Sequence, residues 1–318
     1  MKKTIRIISL LLLSSLLLGA CSAKPQVSQD TEKGTIAISG AFALYPMMTR
    51  WSEEYQALHP AVVFDISAGG AGKGMTDVLS GAVEIGMISR EISTDEETQG
   101  AYGVAVTKDA VFPVVNGTNP VLNELLSRGV DQATFAKIFI SGEITTWGQV
   151  VGDPAITDEI HIYTRSDACG AADTWSKYLG GKQEDLLGIG VSGDPGLLDA
   201  VIKDPLGIGY NNLNYAYDMT TNLPVSGSVV IPIDVNQNGT ADPEELLKTK
   251  AEALQAVADG KYPSPPARLL YLATNGKPSG LVKVFIEWIL TDGQAFVGES
   301  GYIKLTTAQL SDALQKIK

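Results

Sequence analysis

The sequence predicts an α/β protein built as two lobes. Three observations carry that expectation. β-branched, strand-like runs alternate with helical apolar spacing along the chain. The 33 glycines and 15 prolines supply the turns that so many chain reversals need. A length of 318 residues, 44% hydrophobic and 19% charged, is enough for two cores that need no disulfides. A formal charge of −12 excludes a nucleic-acid backbone binder, which needs a basic face to displace counterions.

The first twenty residues belong to targeting. Lys2, Lys3 and Arg6 precede an apolar run from Ile7 to Leu18 that is too short to span a hydrocarbon core of ~30 Å, so it reads as an export signal. Leu18-Gly19-Ala20-Cys21 resembles the bacterial lipoprotein signal. That resemblance implies cleavage before Cys21, diacylation of its thiol, and a cell-envelope protein anchored to a bacterial membrane and facing periplasm or exterior. Losing the three leader cations leaves 21 of 24 basic residues against 36 acidic, a charge of −15, so no basic membrane-facing surface is expected. Residues 21–33 read as a tether. With Cys21 acylated only Cys169 remains, which rules out an intrachain disulfide. No later apolar stretch is long enough to span a membrane.

A strand at Thr35–Ser39 leads through Gly40–Tyr45 to Pro46, suited to a first helical turn. Met47, Trp51, Tyr55 and Leu58 then form one apolar face until His59-Pro60 stops it. The unit repeats with a strand at Val62–Ser67, a glycine-rich loop at Ala68–Gly74, a short helix at Met75–Ser80 and a strand at Glu84–Ser89. Val104–Val106 and Ala110–Val115 read as strands, and Val121–Leu126 and Gln132–Ile138 as helices. The strand Ile160–Thr164 ends at Arg165, and Asp167–Ala172 feeds a helix with Trp175, Tyr178 and Leu179 on one face. Strands at Gly207–Tyr210 and Val229–Ile233 and helices at Glu244–Ala258 and Leu281–Leu290 complete the alternation. Tyr262-Pro263-Ser264-Pro265-Pro266 reads as a stiff crossing between lobes.

Three loops share a design in which a strand ends in small residues and a helix begins, with free backbone N–H groups and the positive dipole end pointing outward: Gly40–Tyr45, Gly69–Gly74 and Cys169–Ala172. Such places bind anions.

The chain also resembles the phosphate-binding receptors of ABC importers. The residues that carry the resemblance are Ile38-Ser39-Gly40 with Tyr45-Pro46, Ala68-Gly69-Gly70-Ala71-Gly72-Lys73-Gly74, Glu84 to Arg90, Arg165-Ser166-Asp167-Ala168-Cys169-Gly170, Gly193-Asp194-Pro195, Gly207-Ile208-Gly209-Tyr210 and Trp288 to Gln294. It covers nearly all of the chain beyond the leader. The resemblance implies a type II periplasmic binding protein, with lobe 1 at 34–111 and 268–318, lobe 2 at 112–267, and a ligand cleft between them.

By the same resemblance Arg165 and Asp167 match the anchor and its acidic neighbour, and Gly170 the loop glycine whose amide faces the anion. Where relatives show Ser or Thr this chain has Leu44, Ala71, Cys169 and Ala171, and a carboxylate of some relatives falls at Ser89. Two readings follow. Backbone amides of Leu44, Tyr45, Ala71, Gly72, Gly170 and Ala171, with Arg165 and Lys73, Ser89 or Arg90, cradle phosphate or a similar oxyanion. Alternatively, Arg165 grips a different anion, or the fold serves as a non-transport sensor or interaction module. The first implies a monomer that hands its ligand to permease subunits.

Asp234 to Glu245 fits the twelve-residue calcium loop D-x-[DN]-x-[DN]-G-x5-E. Asp234, Asn236, Asn238, the Thr240 carbonyl, Asp242 and Glu245 would supply hard oxygens to a structural calcium, in a loop entered from a strand and running into a helix.

No enzyme is expected. Cys169 at a helix N-terminus near Arg165 could be a nucleophile, but neither His59 nor His161 is placed to activate it. Gly188-x-Gly190-x-x-Gly193 reads as a turn-rich coincidence with the dinucleotide pattern, without a strand before it or a helix after.

Overall fold

The computed structural model describes residues 32–318; the export signal, Cys21 and the tether as far as residue 31 lie outside them. Residues Lys33–Lys318 form one compact unit. Its strands are β1 (Gly34–Gly40), β2 (Val62–Ala68), β3 (Ile85–Ile88), β4 (Ala101–Asn116), β5 (His161–Arg165), β6 (Ile189–Val191), β7 (Gly207–Asn212), β8 (Ser228–Val230) and β9 (Ala267–Asn275). They run in the order β2-β1-β3-β9-β4-β7-β5-β6, with β8 also on β4. Strands β1, β2 and β3 are mutually parallel, as are β5, β6 and β7. The two in the middle, β9 and β4, are antiparallel to each other and to their outer neighbours.

The apolar side chains divide where β4 changes partners. One cluster packs Ile36, Trp51, Val104, Val106, Leu272 and Phe285; the other packs Ala110, Phe112, Phe139, Trp175 and Tyr210. Residues 101–110 of β4 pair with β9, whereas 111–116 pair with β7 and β8. Both cores therefore hang on one strand, expected from the sequence as two. Ile303, expected with the first lobe, joins the second cluster. No helix among the described residues is long and apolar enough to cross a membrane.

Helix boundaries moved for local reasons. The helix expected from Met75 starts at Ala71, inside the glycine loop, because Gly70 at φ 92° turns the chain sharply into it. The helix expected over Glu244–Ala258 starts only at Lys250. Thr249 caps it by accepting the Glu252 N–H while the Glu252 carboxylate takes the Thr249 N–H, a reciprocal pair that fixes the start. The helix begun at Gln132 ends at Ala136 and passes into a π turn.

Lys250 is 2% exposed. Its ammonium lies so close to Gly301 that a Cβ there would sit 2.1 Å from Nζ, and it donates to the Met219 sulfur, a weak acceptor. Burial pushes the amine from 10.5 down to about 8. A folded pKa below the unfolded one means that stability rises as pH climbs from about 8 towards 10.5 and is lost as pH falls through 8. Lys250→Met is expected to raise the urea midpoint at pH 7 and to abolish the rise between pH 8 and 10. Urea curves at pH 7, 8.5 and 10 check both.

Candidate functional site

Arg165 closes β5 with its side chain only 1% exposed. Its Nε and Nη2 donate to Asp167 at 2.8 and 2.5 Å, and Nη1 donates to Asp194 at 2.6 Å. The second oxygen of Asp194 accepts from the backbone N–H of Asn212 at 3.2 Å and from its side-chain amide at 2.7 Å. The Phe42 ring from the first core's side lies over the guanidinium, 5.3 Å from its centroid. Burial alone would lower the arginine's pKa; the carboxylates of Asp194 and Asp167 outweigh it and raise it, so Arg165 stays charged. One cation against two carboxylates leaves this group at −1. Attraction for a further anion must come from oriented amides and from the two guanidinium N–H groups outside these bonds.

Such amides meet here. The Gly72 N–H donates to the Ala168 carbonyl at 2.9 Å. A Cβ on Gly70 would stand 2.7 Å from an Asp167 oxygen, and one on Gly170 only 2.0 Å from the Ser89 carbonyl. Glycine at these positions is what lets backbones of the two cores touch. The helices Ala71–Leu79 and Gly170–Tyr178 both start at this contact. Their first amides, those of Ala71, Gly170 and Ala171, have no carbonyl one turn earlier to bond, and the dipoles add positive potential.

Of the residues expected at the site, the structure brings together Ala71, Gly72, Ser89, Arg165, Asp167, Cys169, Gly170 and Ala171. Leu44, Tyr45 and the Gly72 amide are corrections: the Gly72 N–H expected on the anion is spent on the Ala168 carbonyl. Phe42–Leu44 form a 3-10 turn, so the Leu44 and Tyr45 amides close on the Ala41 and Phe42 carbonyls, and the Leu44 side chain fills the first core. Lys73 pairs with Asp77, which also accepts from the Ser39 hydroxyl at 2.6 Å. Burial works to raise the Asp77 carboxyl, but Lys73 and Ser39 prevail and hold it below its usual value. Arg90 is spent on a two-pronged bond to Glu96 at 2.9 and 2.6 Å. Neither cation touches the Arg165 group.

Cys169 is buried at the cap of the Gly170–Tyr178 helix, where its Sγ accepts the Ala172 N–H. Burial pushes the thiol up to about 12 despite Arg165, the opposite of an activated nucleophile. His161 pairs with Asp204 at 2.7 Å. Gly188–Gly193 does contain a strand, β6, and does open a helix, Gly193–Lys203; the Gly193 N–H donates to Asp167 at 3.1 Å. Sequence reasoning gave no role to Asp194, Phe42 or Asn212. An acid in the first turn after Gly193 was a visible signal for Asp194; Phe42 had none.

The Asp234–Glu245 loop coils on itself. Asp234 accepts from the amides of Asn238 and Gly239 at 3.1 and 2.9 Å, and Glu245 spans those of Val235 and Asp242 at 2.8 and 3.1 Å. Gly239 turns at φ 73°. The helix expected to leave the loop directly is delayed to Lys250, because Glu245 bends back onto the loop and the next cap is Thr249. Among the described residues no three His, Cys, Asp or Glu side chains cluster to hold a metal; three of the six groups expected as ligands in this loop are two asparagines and a backbone carbonyl, and Asp242 accepts from both asparagine side chains, at 2.7 and 3.0 Å.

Comparison with known proteins places this geometry. Phosphate-binding protein PstS of Bacillus subtilis is 25% identical over 286 residues, spanning 89% of this chain and 85% of its own. Phosphate-binding protein PstS 3 of Mycobacterium tuberculosis is 26% identical, over 90% of this chain and 87% of its own. A solved phosphate ABC transporter substrate-binding protein of Clostridium perfringens, described with bound phosphate, superposes with a TM-score of 0.68 at 22% identity, over 86% of this chain and all of that one. An ABC-type phosphate transport receptor of Vibrio cholerae gives 0.62 at 20% identity, over 85% of this chain and all of that one. The model of the PBP superfamily domain matches residues 25–293, and with the two lobes joined at β4 and β9 the chain belongs to that superfamily.

Proposed function

We propose that the protein is the substrate-binding component of an ABC importer and captures an inorganic oxyanion, phosphate first, between its two lobes. The observation that carries this reading is the meeting of two helix N-termini, at Ala71 and Gly170, beside the two uncommitted N–H groups of Arg165. Relatives named for phosphate binding support the choice of ligand. In this mechanism the lobes bend apart about β4 and β9, the anion enters, and the amides of Ala71, Gly170 and Ala171 with Arg165 replace its hydration shell; the closed form is what the permease recognises. Catalysis has no part in it, in keeping with the buried Cys169 thiol. Cys21 carries the lipid that holds the monomer at the membrane.

A second reading has its own support. The side chains of Ala71, Cys169 and Ala171 offer no hydroxyl, and the Arg165 group sums to −1, which suits an anion that brings its own protons or a carboxylate. Isothermal titration of the Lys33–Lys318 unit with phosphate, sulfate, arsenate and simple carboxylates decides. Micromolar phosphate binding is expected; heat from a carboxylate alone selects the second reading, and no heat from any of them overturns both.

We further assign calcium to the Asp234–Glu245 loop, supported by a match at every specified position and by Gly239 at the turn. Calcium is expected to raise the melting temperature by several degrees at millimolar concentration, by the mass action of binding the folded state. Magnesium should do less, and Glu245→Ala should abolish the rise. Scanning calorimetry with calcium and with a chelator reads this out.

A further inference from the structure

We infer that Arg268, a residue of the strand joining the lobes, is a positioning residue for anion capture: it holds the first turn of the Gly170–Tyr178 helix and, through Asn212 and Asp194, aims Arg165. Arg268 on β9 lies in register opposite Asp109 on β4, at the point where the two cores divide. Both side chains are buried, 7% and 3% exposed.

Every donor of the Arg268 guanidinium is committed. Nε and Nη2 donate to Asp109 at 2.9 and 3.4 Å. Nη1 donates to the Gly170 carbonyl and to the Thr174 hydroxyl, the latter at 3.0 Å. Nη2 also donates to the Asn212 side-chain oxygen. Asn212 thus turns its oxygen to a cation, and its NH2 to the Asp194 carboxylate that grips Arg165. Asn211 fixes the same element by donating to the Asp194 carbonyl at 2.9 Å. A continuous chain of charge-assisted bonds therefore runs from Asp109 on the joining strands to the arginine of the site. The links at Asp194 are buried and those at Arg268 are partly so, which makes them directional and costly to break.

Only a planar fork can serve these four groups at once. A lysine keeps the charge opposite Asp109 but offers a single nitrogen, so it cannot also reach Gly170, Thr174 and Asn212. The inference rests on the oxyanion reading of the cleft, and its test separates the two. The Lys33–Lys318 unit, which contains both cores and every residue of this hydrogen-bond relay, is titrated with phosphate as wild type, Arg268→Lys, Asn212→Ala and the double variant. Each single change is expected to weaken binding at least tenfold, and the double no more than the worse single, because both break one link. A purely structural Arg268 would lower the melting temperature and leave Kd unchanged, which overturns the inference while the oxyanion reading stands.

A second readout needs no ligand. Cys169 is the sole thiol of this unit and caps the helix that Arg268 holds. Its reaction with an aromatic disulfide in native buffer is expected to accelerate at least tenfold in Arg268→Lys, and an unchanged rate overturns the inference. If wild type takes up no oxyanion, the oxyanion reading fails, and the thiol rate alone still decides whether Arg268 holds this turn.

Discussion

Arg165→Ala is expected to abolish oxyanion binding and to cost the fold about 3–5 kcal/mol, the range for removing one partner of a buried ion pair. The two losses have different origins. Stability falls because Asp194, 1% exposed, and Asp167, 17% exposed, would keep their carboxylates with no cation between them. Binding falls because two charge-assisted donors disappear, each worth roughly 1.5–3 kcal/mol, so the affinity drop exceeds about a hundredfold. A double variant separates these effects. Arg165→Ala with Asp194→Asn removes one of the stranded charges, and its amide can still meet Asn212, so much of the stability returns while binding stays lost. Urea denaturation and calorimetry on the three proteins measure this. The account of the site fails if Arg165→Ala still binds phosphate within tenfold of wild type.

What could be read from the sequence was what local pattern determines. Strand-loop-helix units at Gly40, Gly69 and Cys169 were legible because β-branched runs end in small residues and restart with helical spacing. Arg165 and Asp167 were legible as a pair through the resemblance to phosphate-binding receptors, whose anchor and acidic neighbour they match. The unbroken β4 was not. Thr107-Lys108-Asp109 interrupts its apolar run like a turn, yet Thr107 and Asp109 are buried, satisfied by the Ile303 carbonyl at 2.9 Å and by Arg268. Those partners lie more than 150 positions away, where no window on the sequence reaches. The same holds for Asn212, whose role depends on two charges brought to it by other elements. Lys73 and Arg90 failed in the opposite direction. Their charge suggested a ligand, but Asp77 and Glu96, four and six positions on, had already claimed them. A basic residue near a glycine loop is informative only once its nearest acid has been accounted for.

Two glycines, Gly170 and Gly40, distinguish lobe closure from lobe integrity, and their alanine variants are expected to fail in different ways. At Gly170 a Cβ would lie 2.0 Å from the Ser89 carbonyl and 2.3 Å from its hydroxyl. Gly170 opens a helix of the second core, whereas Ser89 follows β3 of the first, so the clash is between lobes. Parting the lobes by an ångström or two relieves it without unpacking either core. Gly170→Ala should therefore lose oxyanion affinity by more than about a hundredfold, the scale of a few kcal/mol charged against the closed state, and keep a melting temperature near wild type. At Gly40 the obstacles are the Met87 carbonyl at 2.3 Å and the Gly74 Cα at 3.1 Å, all within the first lobe, and φ is +133°. No rigid movement of a lobe helps there. Left-handed strain of about 1–3 kcal/mol and overpacking of similar size should add, so Gly40→Ala should melt far below wild type. Small-angle scattering with and without phosphate, beside melting curves, reads both. Wild type should contract on binding, Gly170→Ala should stay extended at the same phosphate concentration, and a Gly170→Ala protein that contracts and binds like wild type would show that the Ser89 contact does not govern closure.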